Sequence, residues 1–225
     1  MGIDYAAFSA AVEQAVFEKL AAAGDAAGLG TMLDTVAHLT ELTLDEGSSR
    51  EQAALIACHA GCSACCNLNV AVLHPEAITI AAFLREREKQ PSFTPLGAKL
   101  EKFARYLYGV GDEERIRLRI PCAFLDHRGW CLIHPIRPIM CRSIAATSPD
   151  QCRRSLETTW MDDEEPVMLN LVQKSLYDEA FIQVAAALDR NGLDSRSMEL
   201  HNAVQAFRDR PERVEEFLAG GRITL

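Results

Sequence analysis

The run Cys58-His59-Ala60-Gly61-Cys62-Ser63-Ala64-Cys65-Cys66 holds four of the eight cysteines of the chain within nine residues. The other four, Cys122, Cys131, Cys141 and Cys152, follow in a single later stretch. Thiolates are soft ligands that favour zinc, copper(I) or iron–sulfur clusters. Cysteines that merely pack as small hydrophobes account for one or two of these positions. They do not account for a C-x-x-x-C-x-x-C-C run. All eight cysteines are therefore candidate metal ligands, and the fold is expected to bring the two groups together.

A chain of 225 residues with 48% hydrophobic and 24% charged residues suits a soluble globular protein with one substantial core. The first residues, Met1-Gly2-Ile3-Asp4-Tyr5, show no secretory leader, and no run approaches the ~18 apolar residues of a membrane span. Ala6 stands where a myristoylation motif needs Ser or Thr. The expectation is a cytoplasmic protein without a membrane partner, in a compartment where thiols stay reduced and bind metal rather than pair. A net charge of −9 argues against nucleic acid as a partner. Two basic stretches run against that average. Lys102 to Arg119 reads equally well as a solvated face, whereas Arg137, Arg142, Arg153 and Arg154 interleave with cysteines and could screen an anionic cluster.

The periodicity predicts a mainly α protein. Helices are expected over 3–23, with Phe8, Val12, Ala15 or Val16, and Leu20 on one face, and over 26–43, with Met32, Leu33, Val36 and Leu39. Ser48 with Glu51 and Ser49 with Gln52 form overlapping capping boxes. The helix they open, if it runs on past Cys58, places the first four cysteines on one face. His74-Pro75-Glu76 starts another helix, and Leu96 to Leu107 is a further one. Phe124-Leu125 and Trp130 to Ile133, around Gly129, read as a small β-hairpin joining Cys122 to Cys131. Pro135 and Pro138 make a rigid approach to Cys141. Asp162 to Pro166 reads as an acidic helix start, leading into a core helix over Val167 to Leu188. Two helices follow, over 195–208 and 211–218. The organisation expected is a single domain: N-terminal helices over 1–47, a cysteine core over 48–155 and C-terminal helices over 156–225.

The cysteine pattern resembles the YkgJ-type cysteine-cluster family of zinc- or iron-chelating domains. The match runs through Cys58, Cys62, Cys65 and Cys66, then Cys122-Ala123-Phe124-Leu125, Gly129-Trp130-Cys131-Leu132-Ile133 and Arg137-Pro138-Ile139-Met140-Cys141-Arg142. It covers about 58–152 and departs at His134, where the family often carries an aromatic such as Tyr. The resemblance implies a metal centre. One branch is similar to flagellin lysine N-methylases, which combine S-adenosylmethionine with an iron–sulfur cluster. Cys58, Cys62 and Cys65 also have the C-x-x-x-C-x-x-C spacing of radical S-adenosylmethionine enzymes, where three thiolates on a four-iron cluster leave one iron free for another ligand. The repeated strand–helix units of that fold are missing here, and Ala64 replaces its usual aromatic.

Two functions from different classes follow. One is a 4Fe-4S enzyme transferring a methyl group or electrons to a protein or small-molecule substrate, with S-adenosylmethionine as a further cofactor. The other is a non-catalytic binding or metal-handling protein held together by zinc or iron ions. Eight cysteines suit two four-ligand sites, or one larger cluster with spare thiols. His59, His74, His127 and His134 are secondary ligand candidates. Arg142, beside Cys141, is the expected cofactor-binding cation, able to offset thiolate charge or hold a carboxylate.

Overall fold

A computed structural model describes residues 2–158 and 166–224. Helix α1 (Tyr5–Ala22) starts where the Asp4 side chain accepts the Ala7 N–H at 3.0 Å, and it buries Phe8, Val12, Val16 and Leu20. Helix α2 (Ala26–Gly47) is capped the same way, by Asp25 on the Gly28 N–H at 2.8 Å. The glycines that weaken its first turn have a packing reason. A Cβ on Gly28 would lie 2.8 Å from the Ala23 Cα, inside the α1–α2 corner. One on Gly30 would press on Thr79 of the next long helix at 3.3 Å.

That helix is α4 (His74–Arg87), which starts at the expected residue. Between α2 and α4 the predicted cysteine helix is cut short. Helix α3 keeps its Ser49–Gln52 capping box but covers only Arg50–Ala54. The Ala57 N–H then pairs with the Ala146 carbonyl at 2.9 Å instead of with its own turn, and Gly61 turns the chain at φ 94°. Cys58 to Cys66 therefore lie on successive turns rather than on one helix face.

Helix α5 (Leu96–Leu107) matches its prediction, and α6 (Asp112–Leu118) is an addition that buries Arg115 and Ile116. The expected hairpin is reduced to one bridge, Leu125 to Cys131, around Gly129 at φ 81°. The Asp126 carboxylate accepts the Arg128 and Trp130 N–H groups and closes that turn. Short helices α7 (Ile139–Ser143) and α8 (Pro149–Thr158) carry Cys141 and Cys152.

The acidic residues Asp162 to Glu165 lie outside the described residues. The core helix after them, α9 (Leu171–Arg190), starts later than expected because 168–170 pair with 145–147, and Asn170 supplies its cap. Strand β2 (Met198–Glu199) joins β1 (Ala71–Val72) in a two-stranded antiparallel sheet, with Ala71 opposite Glu199. Helices α10 (Leu200–Asp209) and α11 (Arg213–Leu218) end the chain. The protein is mainly α, as expected. Helices α1, α2, α4, α9 and α10 share one hydrophobic core that includes Val12, Met32, Ile78, Val184 and Val204. No helix among the described residues is long and apolar enough to cross a membrane.

Candidate metal centre

The turns of the cysteine run, the hairpin and α7 meet around one cavity of about 300 Å³. Six thiols line it: Cys62, Cys65, Cys66, Cys122, Cys131 and Cys141. The walls between them are apolar, from Leu68, Val70, Ile133, Met140, Ile144 and Leu200. The joint between the two cysteine groups is a backbone hydrogen bond from the Cys122 N–H to the Cys66 carbonyl at 2.7 Å. Cys58 and Cys152 stand outside the lining. The Cys58 sulfur accepts the Ala146 N–H at 3.2 Å, and Cys152 is held on α8.

The donor set fits a thiolate-bound metal. Besides Cys58, two thiols accept an N–H from the residue two positions later: Cys122 from Phe124 and Cys131 from Ile133. Such bonds stabilise sulfur as an anion. Most of the thiols stay above the usual range without a cation. Burial raises Cys131 to about 11, and burial with the nearby Cys122, Cys131 and Cys65 raises Cys141 well above the ordinary thiol value. Cys65 and Cys66 act as a pair: Cys66 donates to Cys65, which falls to about 7, while Cys66 is held protonated. A metal relieves this crowding by removing the protons. Among the described residues, no three Cys, His, Asp or Glu side chains stand close enough together to hold a single ion. The thiols surround a space rather than a point.

The arginine and lysine side chains on this space are Arg115, Arg137 and Lys174. Arg142, expected beside the cluster, is not among them. Its guanidinium donates to the Arg137 carbonyl at 3.1 Å, the Pro135 carbonyl at 3.1 Å and the Glu41 carboxylate at 3.0 Å. It braces the bend before α7 against α2. Of the histidine candidates, His59 and His134 line the cavity. His127 is exposed on the hairpin turn, and His74 is buried elsewhere, stacked on Phe217 at 5.5 Å.

The residues that sequence reading missed come from outside the cysteine core. His201 of α10 places Nε2 at 3.4 Å from the Cys122 sulfur and 3.1 Å from the Ala123 nitrogen. Its Nδ1 meets the Glu199 carboxylate at 2.6 Å, and Arg115 stands 3.5 Å from the same carboxylate. Burial lowers the His201 pKa, but Cys122 and Glu199 outweigh it and raise it to about 9. Burial likewise pushes the Cys122 thiol up, and His201 with the Phe124 N–H brings it below the ordinary value. The only sequence signal for this was a histidine on the apolar face of α10, which is no different from a core histidine.

Residues 57–165 match the CxxCxxCC family, described as "Putative zinc- or iron-chelating domain". No curated protein and no solved structure matches the chain.

Proposed function

We propose that the chain is an iron–sulfur protein whose cluster is bound by the thiols of the cysteine run, a reading supported by the match of residues 57–165 to the CxxCxxCC family. The observation that carries this reading is the placement of the thiols around a space. A tetrahedral zinc gathers four ligands about one point, with sulfur about 2.3 Å from the metal. A cluster of several irons spreads its thiolates over a larger body. Cys62 and Cys65 supply two of these thiolates from the turns about Gly61.

The activity we infer is transfer of a methyl group or electrons, with S-adenosylmethionine as the small molecule admitted to the cavity. A bound cluster supplies one-electron chemistry and a site for an added ligand. The protein supplies the rest. Apolar side chains line much of the cavity, and Arg137 presents charge that suits a carboxylate.

Anaerobic purification tests this. The expected product is brown, with broad sulfur-to-iron absorption and about four irons per cluster. Adding S-adenosylmethionine should change the electron paramagnetic resonance signal. A colourless preparation with stoichiometric zinc, unchanged by iron and sulfide, overturns the iron–sulfur reading in favour of a non-catalytic zinc protein.

A further inference from the structure

The C-terminal end of the chain is fastened by a small cluster that takes no part in the thiol cavity. Asp194, in the loop between α9 and β2, accepts the Ile223 N–H at 3.0 Å and the Arg196 Nε–H at 2.8 Å. Arg196 in turn donates to the Ile223 carbonyl at 2.8 Å. These two side chains clip down the tail that follows α11, and Ile223 is buried there.

His74 is the anomaly in this cluster. It is fully buried at the start of α4, flat against Phe217 of α11 at 5.5 Å and edge-on to Phe207 of α10 at 5.9 Å. Neither ring nitrogen has a hydrogen-bond partner among the described residues, although Nε2 stands 3.7 Å from an Asp194 oxygen. A neutral imidazole always carries one N–H, so the ring leaves a buried donor unpaired. Phenylalanine would fill the same aromatic stack without that cost. What imidazole adds is a proton site that titrates near neutral pH.

The charged groups acting on that site come from one loop, while α10 and α11 present only rings to it. Glu76, on the same helix, is turned to the Leu73 and Ile139 N–H groups. Burial holds the His74 pKa below its ordinary 6.5; Asp194 pulls it upward and Arg196 pushes it down. The closed state therefore binds the proton less tightly than an opened one. Closure is fully favoured above about pH 6.5 and weakens as pH falls below it.

We propose that His74 is an acid-sensitive latch: its neutral ring holds α11 and the tail to Ile223 closed over the start of α4, and protonation lets that segment open. Opening stays local, because α11 is six residues long and buries only Phe217. The latch is independent of what the thiols bind, and its sign is opposite to that of a carboxyl whose pKa is raised by burial.

The test is amide hydrogen exchange on the full chain near pH 7.5 and near pH 5, corrected for the intrinsic effect of pH, with α1 as internal reference. Protection over 213–223 should fall by about fivefold or more relative to α1 at the lower pH. H74F keeps the aromatic stack and removes the proton site, so its C-terminal segment should follow α1 within about twofold. If H74F does not fold, H74Q, which also cannot titrate, replaces it. A wild-type C-terminal segment that merely follows α1 overturns the proposal. So does a non-titrating variant whose segment opens in acid as the wild type does.

Discussion

Glu76 shows how a single buried residue sets the frame of the thiol-lined cavity. Its two oxygens accept the Leu73 N–H and the Ile139 N–H, each at 2.7 Å, and so join the start of α4 to the start of the helix that carries Cys141. Burial raises its pKa from the ordinary 4.5 to about 7, against the opposing pull of those two N–H groups and Arg142. The folded state thus holds the proton more tightly than the unfolded state. The Glu76 contribution to stability is fully present below about pH 4.5 and is lost as pH rises through 7. Urea unfolding of the metal-free, reduced protein should show this slope, and E76Q should flatten it. The amide nitrogen of Gln cannot accept, so E76Q also leaves one buried N–H unpaired, at a cost of about 1–3 kcal/mol. A second residue-scale expectation concerns Arg142. R142A should leave metal content unchanged and lower the unfolding midpoint, because its bonds run to Glu41 and to the Pro135 and Arg137 carbonyls rather than to thiols.

At the scale of the element, the turn at Gly61 decides how the cysteine run is presented. Its φ of 94° disfavours any side chain, and an added Cβ would stand 3.2 Å from the Trp130 ring. G61A should destabilise the protein by roughly 1–2 kcal/mol and reduce the metal retained after gel filtration, as read by metal analysis. The segments that the sequence foretold best are those whose signals are local. α1, α4 and α5 have helical apolar spacing and a start signal within a few residues, so their bounds were legible. The helix expected through Cys58 was not, because the Ala57 N–H is taken by the carbonyl of Ala146, 89 residues further on. The β1–β2 pair was equally hidden, being two residues long on each side and joined across most of the chain.

At the scale of the whole molecule, the C-terminal helices belong to the site as well as to the core. Phe207 of α10 is fully buried against the shared core and meets the His74 ring edge-on at 5.9 Å. F207A should cost about 3–5 kcal/mol, measured by denaturant unfolding. Ending the chain at Arg190 removes Glu199, His201 and every buried residue of α10 and α11. That loss exceeds the ~5–15 kcal/mol that holds a typical domain together, so the truncated chain should lack a cooperative transition and retain no metal. A cooperative, metal-loaded 1–190 fragment would show instead that the cysteine core stands alone.

The sequence by itself determined the chemistry of this protein and its class of fold. Thiol spacing is written in the chain and needs no tertiary contact to be read, and helical periodicity and capping act within a few residues. Tertiary structure decided what depends on distant partners. It placed Cys58 and Cys152 outside the cavity and turned Arg142 toward α2. It buried Arg115 in what reads as a solvated basic stretch, and it brought His201 within 3.4 Å of Cys122 from 79 residues away. A hydrogen bond or a shared cavity is a relation between segments, and its energy exists only once the chain has closed.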